Sequence, residues 1–216
     1  MSEPRRYAIK EIYPTLQGEG AQAGQMAVFL RFAGCNLWTG REDDRPGATC
    51  VFCDTDFVGT NGPGGGSYDE QALVRAVNEA WVATGASGPR RWVVCTGGEP
   101  TLQLDSALVR ALQQAGFRVA IETNGTRPVP EDVDWVCVSP KADAPLVQTS
   151  GHELKLVYPQ ADAQPERFKG LAFDHFFLQP MDGPDKAAAT DAAIAYCMAH
   201  PEWRLSLQTH KLVGLR

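Results

Sequence analysis

Three cysteines share one short stretch, "RFAGCNLWTGREDDRPGATCVFCDTDF", where Cys35, Cys50 and Cys53 are spaced C-x14-C-x2-C. Thiolates are soft ligands that hold zinc, copper(I) or iron–sulfur clusters. A structural zinc site normally closes with four Cys or His ligands, often as two C-x2-C pairs, and no second pair exists here. Cys95 and Cys137 fall in apolar runs, and Cys197 shares an apolar helix face with Ile194 and Met198. A cysteine in such places acts as a small buried hydrophobe. Three thiolates on a four-iron cluster leave one iron open for chemistry. A partial zinc site is the alternative reading of the spacing.

Other residues of the same stretch could do chemistry too. Arg31 sits in an otherwise apolar run, where a guanidinium needs a partner and suits bidentate contact with a carboxylate. Thr55 could offer a hard oxygen to magnesium, or be a loop hydroxyl satisfied by backbone.

Positioning these groups requires elements. Strand-like runs occur at "MAVFLRF" (26–32), "WVVC" (92–95), "RVAI" (118–121), "WVCV" (135–138), "LKLV" (154–157), "HFFL" (175–178) and "RLSL" (204–207). Most are short and continuously apolar, as strands covered on both faces should be. Ser67 with Glu70 forms a capping box ahead of a helix carrying Leu73, Val77 and Trp81. Asp105 caps a second helix that stops at Gly116, and "DKAAATDAAIAYCMAH" forms a third. Alternation of strands and helices predicts an α/β fold with a parallel sheet. The connections after Ile121 and Val138 are too helix-poor for full repeats, so the expectation is an incomplete, TIM-like barrel. It would have about six parallel strands, a seventh run as edge or extension, and three main helices. Residues 1–216 are read as one domain, "GTNGPGGGS" (59–67) as a flexible loop or linker, and residues 36–49 as an excursion that stays out of the core.

Polar and glycine residues gather after the strands: "AGC", "TGGEP" (96–100), "ETNG" (122–125), "SPK" (139–141), "QP" (179–180) and "QTHK" (208–211). The carboxyl edge of parallel strands is where ligands converge, which predicts one shared site. The net charge of -6, with no basic stripe, argues against a nucleic-acid partner. The sequence has no run of about 20 apolar residues to span a bilayer, and its start lacks a signal-peptide core. A soluble, cytoplasmic protein without a membrane partner is expected.

A three-cysteine loop with Phe52 before its last cysteine, followed by "GGEP", resembles the radical S-adenosylmethionine superfamily. The resemblance implies a 4Fe-4S cluster on Cys35, Cys50 and Cys53, with S-adenosylmethionine chelating the fourth iron. The usual motif is C-x3-C-x2-C, so eleven positions are extra here. By resemblance Phe52, Gly97, Gly98 and Glu99 would bind S-adenosylmethionine, as would Ser139, Pro140, Lys141, Gln179, Pro180, Met181 and Asp182. Lys141 as a solvated charge stays open. "YPTLQGEG" (13–20), "CDT" (53–55) and "LQTHK" (207–211) further resemble the 7-carboxy-7-deazaguanine synthase family. This implies 6-carboxy-tetrahydropterin as substrate, magnesium at Thr55, a flavodoxin- or ferredoxin-type reductant and a homodimer. Leu16, Gln17, Gly18, Arg31, Thr96 and His210 would hold substrate; His210 could instead bind magnesium or be merely hydrogen-bonded, and Glu19 could meet the pterin edge or anchor its own turn. The rivals are an activating enzyme that makes a glycyl radical on a partner protein and a non-enzymatic zinc module.

Overall fold

The computed structural model describes residues 5–215. Its strands are β1 (Tyr7–Leu16), β2 (Met26–Phe32), β3 (Gly66–Tyr68), β4 (Arg91–Gly97), β5 (Phe117–Thr123), β6 (Trp135–Val138), β7 (Ser150–Tyr158), β8 (Ala172–Pro180) and β9 (Trp203–Leu205). The helices are α1 (Glu70–Val82), α2 (Ser106–Gln114), α3 (Lys186–Ala199) and the single turn α4 (Thr209–Leu212). All nine strands form one sheet in the order β3-β1-β2-β4-β5-β6-β7-β8-β9. From β2 through β9 every pairing is parallel, whereas β1 runs antiparallel to both β2 and β3.

The sheet is not closed, as the helix-poor connections predict. No helix lies between β5 and β6 or between β6 and β7. All seven sequence-predicted strands are present, with β9 as the edge, and β6 has the expected bounds. What patterning missed is the antiparallel pair at the other edge. The run Tyr7–Leu16 contains Lys10 and Glu11, both buried, so its hydrophobic alternation is broken and does not read as a strand. The register of β1 on β2 slips between Ile9 and Glu11. Such a bulge re-aims side chains, and here it lets the consecutive Lys10 and Glu11 both face the same cleft.

Two local readings need correction. The glycine-rich segment is not a linker: Gly62 donates its N–H to the Lys10 carbonyl at 3.0 Å and the Pro63 carbonyl accepts from Ile12 N–H at 2.8 Å. It therefore covers the outer edge of β1 before β3 pairs there. The cap of α1 is Asp69, whose carboxylate accepts from Ala72 N–H at 2.8 Å, while Ser67 belongs to β3 and accepts from Arg6.

The sheet has two chemically different faces. Outward residues such as Val93, Val119, Ile121 and Leu154 pack against Leu73, Val77, Leu108 and Leu112 of α1 and α2 to form the main core. The inner face begins with Ala27, Trp92, Val94 and Ala120 in a small second cluster and ends in polar residues towards the carboxyl edge. Period-two alternation carries this change along single strands: Ala27, Phe29 and Arg31 on β2, Trp92, Val94 and Thr96 on β4.

Asp69→Ala should lower unfolding free energy by about 1 kcal/mol through loss of the helix cap. Ser67→Ala should cost less than about 0.5 kcal/mol, as for a surface change. Denaturant titration of the two variants distinguishes the caps.

Candidate active site

The carboxyl ends of the strands open into one cleft of about 510 Å³. Five of the six strand-end patches supply lining residues, and the sixth ends at Cys35, which abuts the turn after β4 at Gly98. A Cβ on Gly98 would lie 2.1 Å from the Gly34 carbonyl oxygen and 2.9 Å from the Cys35 Cβ. Only glycine lets the turn after β4 lie flat on the loop that carries the first thiol. Beside it, Glu99 is fully buried and faces away from the cleft. Its carboxylate accepts from Thr101 N–H and Oγ1, from Thr123 Oγ1 at 2.7 Å and from Asn124 N–H at 2.8 Å, locking the end of β4 to the end of β5.

Cys35, Cys50 and Cys53 are free thiols; Cys50 and Cys53 line the cleft, and Cys35 lies against Gly98 beside it. Leu37 N–H points to the Cys35 sulfur at 3.4 Å. The hydrogen bond from Cys50 holds Cys53 down at about 6 against the opposing effect of burial, and raises Cys50 itself. Thiolate is the metal-ligating form, and of the three thiols only Cys53 is shifted towards it, since burial raises Cys35. Among the described residues no three His, Cys, Asp or Glu side chains stand close enough to hold one metal ion. A multi-iron cluster spreads its thiolates more widely. Cys95 and Cys137 behave as expected of buried hydrophobes, burial pushing Cys95 up to about 12 and raising Cys137 as well, whereas Cys197 is only half-buried and its expected apolar companions Ile194 and Met198 are exposed.

Phe52, Gly97, Gly98, Ser139, Lys141, Gln179, Pro180 and Asp182 all line the cleft, and Thr55 joins them. Lys141 is not a free surface charge: its ammonium donates to the Ser139 carbonyl at 3.0 Å and to the Ser139 hydroxyl. Pro140 and Met181 are not in the lining; the Pro140 carbonyl accepts from Gln160, and Met181 N–H donates to the Tyr158 carbonyl at 2.8 Å. The Asp182 carboxylate already binds Lys211 at 2.6 Å and Lys186 at 2.8 Å.

The same cleft holds the residues expected near substrate. Leu16, Gln17, Gly18, Arg31, Thr96 and His210 line it. Arg31 donates from Nε to Glu11 at 2.8 Å and from Nη2 to the Tyr13 hydroxyl at 3.0 Å, which satisfies part of its fork. His210 lies across Gly18 so closely that an added Cβ would fall 2.0 Å from its Nδ1. The segment carrying His210 is tied down by Thr209, whose N–H and Oγ1 both donate to the Gly18 carbonyl, and by Lys211, which bridges Asp54 and Asp182.

Sequence reading passed over Lys155. It lies on β7 with only 3% of its side chain exposed, between Glu19 and, at 2.9 Å, Glu122. Gln17 donates to Glu122 at 2.8 Å and Gln208 to Glu19 at 3.1 Å, so the network joins four segments. Burial is the largest single influence and acts to raise Glu19, but the Lys155 charge together with hydrogen bonds from Lys155 and Gln208 leaves it below its ordinary value. Burial likewise opposes the charge on Lys155, and Glu122 and Glu19 more than restore it. A lysine inside "LKLV" carries the same signal that singles out Arg31.

Lys155→Met would strand two partly buried carboxylates and should destabilise the chain by about 3 kcal/mol at neutral pH. A lowered carboxylate pKa contributes stability above its ordinary 4.5, and a raised lysine pKa does so below its ordinary 10.5. The gap between wild type and variant should therefore be flat between those limits. It should shrink as acid protonates Glu19, which denaturation at pH 7 and pH 4 would measure.

Comparisons with known proteins agree with this geometry. Residues 47–137 match the family model of the Radical SAM superfamily. A 7-carboxy-7-deazaguanine synthase of Bordetella pertussis is 64% identical over 210 residues, covering 97% of this chain and 99% of the relative. One from Caulobacter vibrioides is 63% identical over 211 residues, with the same shares covered. The fold is similar to the crystal structure of QueE from Escherichia coli, with a TM-score of 0.68 and 28% identity over 94% of this chain and 93% of that one. Three free thiols facing the glycine turn of an open parallel sheet, and full-length identity at this level, place the chain in the 7-carboxy-7-deazaguanine synthase family of radical S-adenosylmethionine enzymes.

Proposed function

We propose that the chain converts 6-carboxy-5,6,7,8-tetrahydropterin to 7-carboxy-7-deazaguanine with loss of ammonia, as a step towards queuosine and related 7-deazapurines. The observation that carries this reading is a single cleft lined by Cys50 and Cys53 of the three-thiol loop together with Arg31, His210 and the carboxylates Glu19 and Glu122. Cys35, Cys50 and Cys53 would hold the 4Fe-4S cluster. Cluster and S-adenosylmethionine, when bound, supply the 5′-deoxyadenosyl radical that starts ring contraction.

The chain's own residues bind and orient. Gly97 and Gly98 leave backbone exposed beside the thiols, and Ser139, Lys141 and Gln179 offer polar contacts to the ribose and adenine of S-adenosylmethionine; Phe52 adds an apolar wall. Arg31 has a fork suited to the pterin carboxylate. Glu122 and Glu19, fixed by Lys155 and Gln17, present acceptors to the amino and ring N–H edge of a pterin. Thr55 would give magnesium one hard oxygen, with substrate and water completing an octahedron. Glu99, whose carboxylate is consumed by four donors, is assigned to shaping this wall rather than to touching the cofactor.

Family membership speaks against both the glycyl-radical activating enzyme and the zinc module. We assign the protein to the cytoplasm, with a flavodoxin- or ferredoxin-type reductant and a homodimer through an exposed sheet edge; β3 and β9 are the two edges. Among the described residues no helix is long and apolar enough to cross a membrane.

Anaerobically reconstituted protein, incubated with 6-carboxy-tetrahydropterin, S-adenosylmethionine, magnesium and reductant, should form a product with the mass of 7-carboxy-7-deazaguanine. Absence of any deazapurine would overturn the reading. Arg31→Gln should raise KM about 10- to 100-fold through loss of a charge-assisted contact.

A further inference from the structure

The long insert between Cys35 and Cys50 does not simply loop out. Trp38 turns inward, 7% exposed, and meets Phe57 edge-on at 5.6 Å. Its indole N–H donates to the Arg41 carbonyl at 3.1 Å. A 3-10 helix over Glu42–Gly47 follows and brings Arg45 back over the Trp38 ring, 3.9 Å from its centroid. There the guanidinium is almost fully used. Nη1 donates to the Val51 carbonyl at 2.9 Å and to the Cys53 carbonyl at 3.1 Å. Nε and Nη2 each donate to the Glu42 carboxylate at 2.7 Å.

The two carbonyls flank the turn that carries Cys53, so one planar cation stacked on a buried ring fixes the backbone between the second and third thiols. We propose that Arg45 is a positioning residue for the cluster, with Glu42 as its counter-charge, and that the pair also biases the cluster's reduction potential. The inference rests on the cluster reading above. A reduced cluster carries one more negative charge, which a nearby cation favours and a nearby carboxylate disfavours. Lysine could keep the charge but has no planar fork to reach both carbonyls and Glu42 at once.

The test uses the full chain reconstituted anaerobically with iron and sulfide. Iron and sulfide per chain, iron release to a chelator and the midpoint potential followed by electron paramagnetic resonance are measured. R45Q should release iron about tenfold faster than wild type, as loss of charge-assisted hydrogen bonds predicts, and its midpoint should fall. R45K should release iron faster while holding a midpoint near wild type. E42Q should keep the wild-type release rate and shift the midpoint upwards. Wild-type release and midpoint in R45Q would overturn the inference, as would midpoints of R45Q and E42Q that move in the same direction. Should R45Q take up no iron, an E42Q midpoint that is unmoved or lowered overturns it instead. A wild-type chain that takes up no iron would overturn the cluster reading together with this one, whereas iron-loaded wild type with unaltered variants defeats this inference alone.

Discussion

A sheet that does not close needs something other than a hydrogen-bonded ladder to hold its two halves round a common cleft. Here that constraint is the ammonium of Lys155, which takes one carboxylate from β5 and one from the turn after β1. Removing an ammonium from water costs several kcal/mol, and close carboxylates with further hydrogen bonds are what offset it. Because Glu122 also accepts from Gln17, and Glu19 from Gln208, the charge cannot shift without disturbing β1, β5 and the segment before α4. This part of the cleft is preorganised by the network, so its carboxylates are already oriented before a ligand arrives.

The thiol wall is held by shape more than charge. Gly97 and Gly98 let β4 end against the backbone of residues 32–34, and Glu99 then ties that end to Thr123, the last residue of β5, and to Asn124 just after it. A buried carboxylate with four donors is well satisfied and rigid. The cluster loop thus leans on a fixed strand end, while its own extension folds over Trp38 and Phe57. Each side of the cleft has its own anchor, and Lys211 and Gln208 join the two by reaching Asp54, the residue after Cys53.

Most of the parallel sheet was legible because its strands are continuously apolar, and the shared site was legible because polar residues accumulate at their carboxyl ends. β1 was not, since Lys10 and Glu11 interrupt its pattern and a bulge turns both to the cleft. Residues that spoil a strand's periodicity are here the ones the site needs. Lys155 escaped for a related reason: its run is short, and its partners Glu19 and Glu122 lie 136 and 33 residues away. The cysteines and glycines could be read from spacing because their constraints are local. Ser67 misled because a cap can be recognised by type at either of two nearby positions, and only backbone geometry chose Asp69.

The contact between Thr209 and Gly18 joins residues 191 apart. During synthesis the three cysteines are made before two-thirds of the chain exists, whereas the turn that lays His210 across Gly18 cannot form until residues 208–211 have been added. Contacts of such long range form late, because the intervening chain must first be ordered. The cleft is consequently completed from its thiol side towards its His210 side. Until then the cleft lacks the segment that Lys211 ties to Asp54 and Asp182.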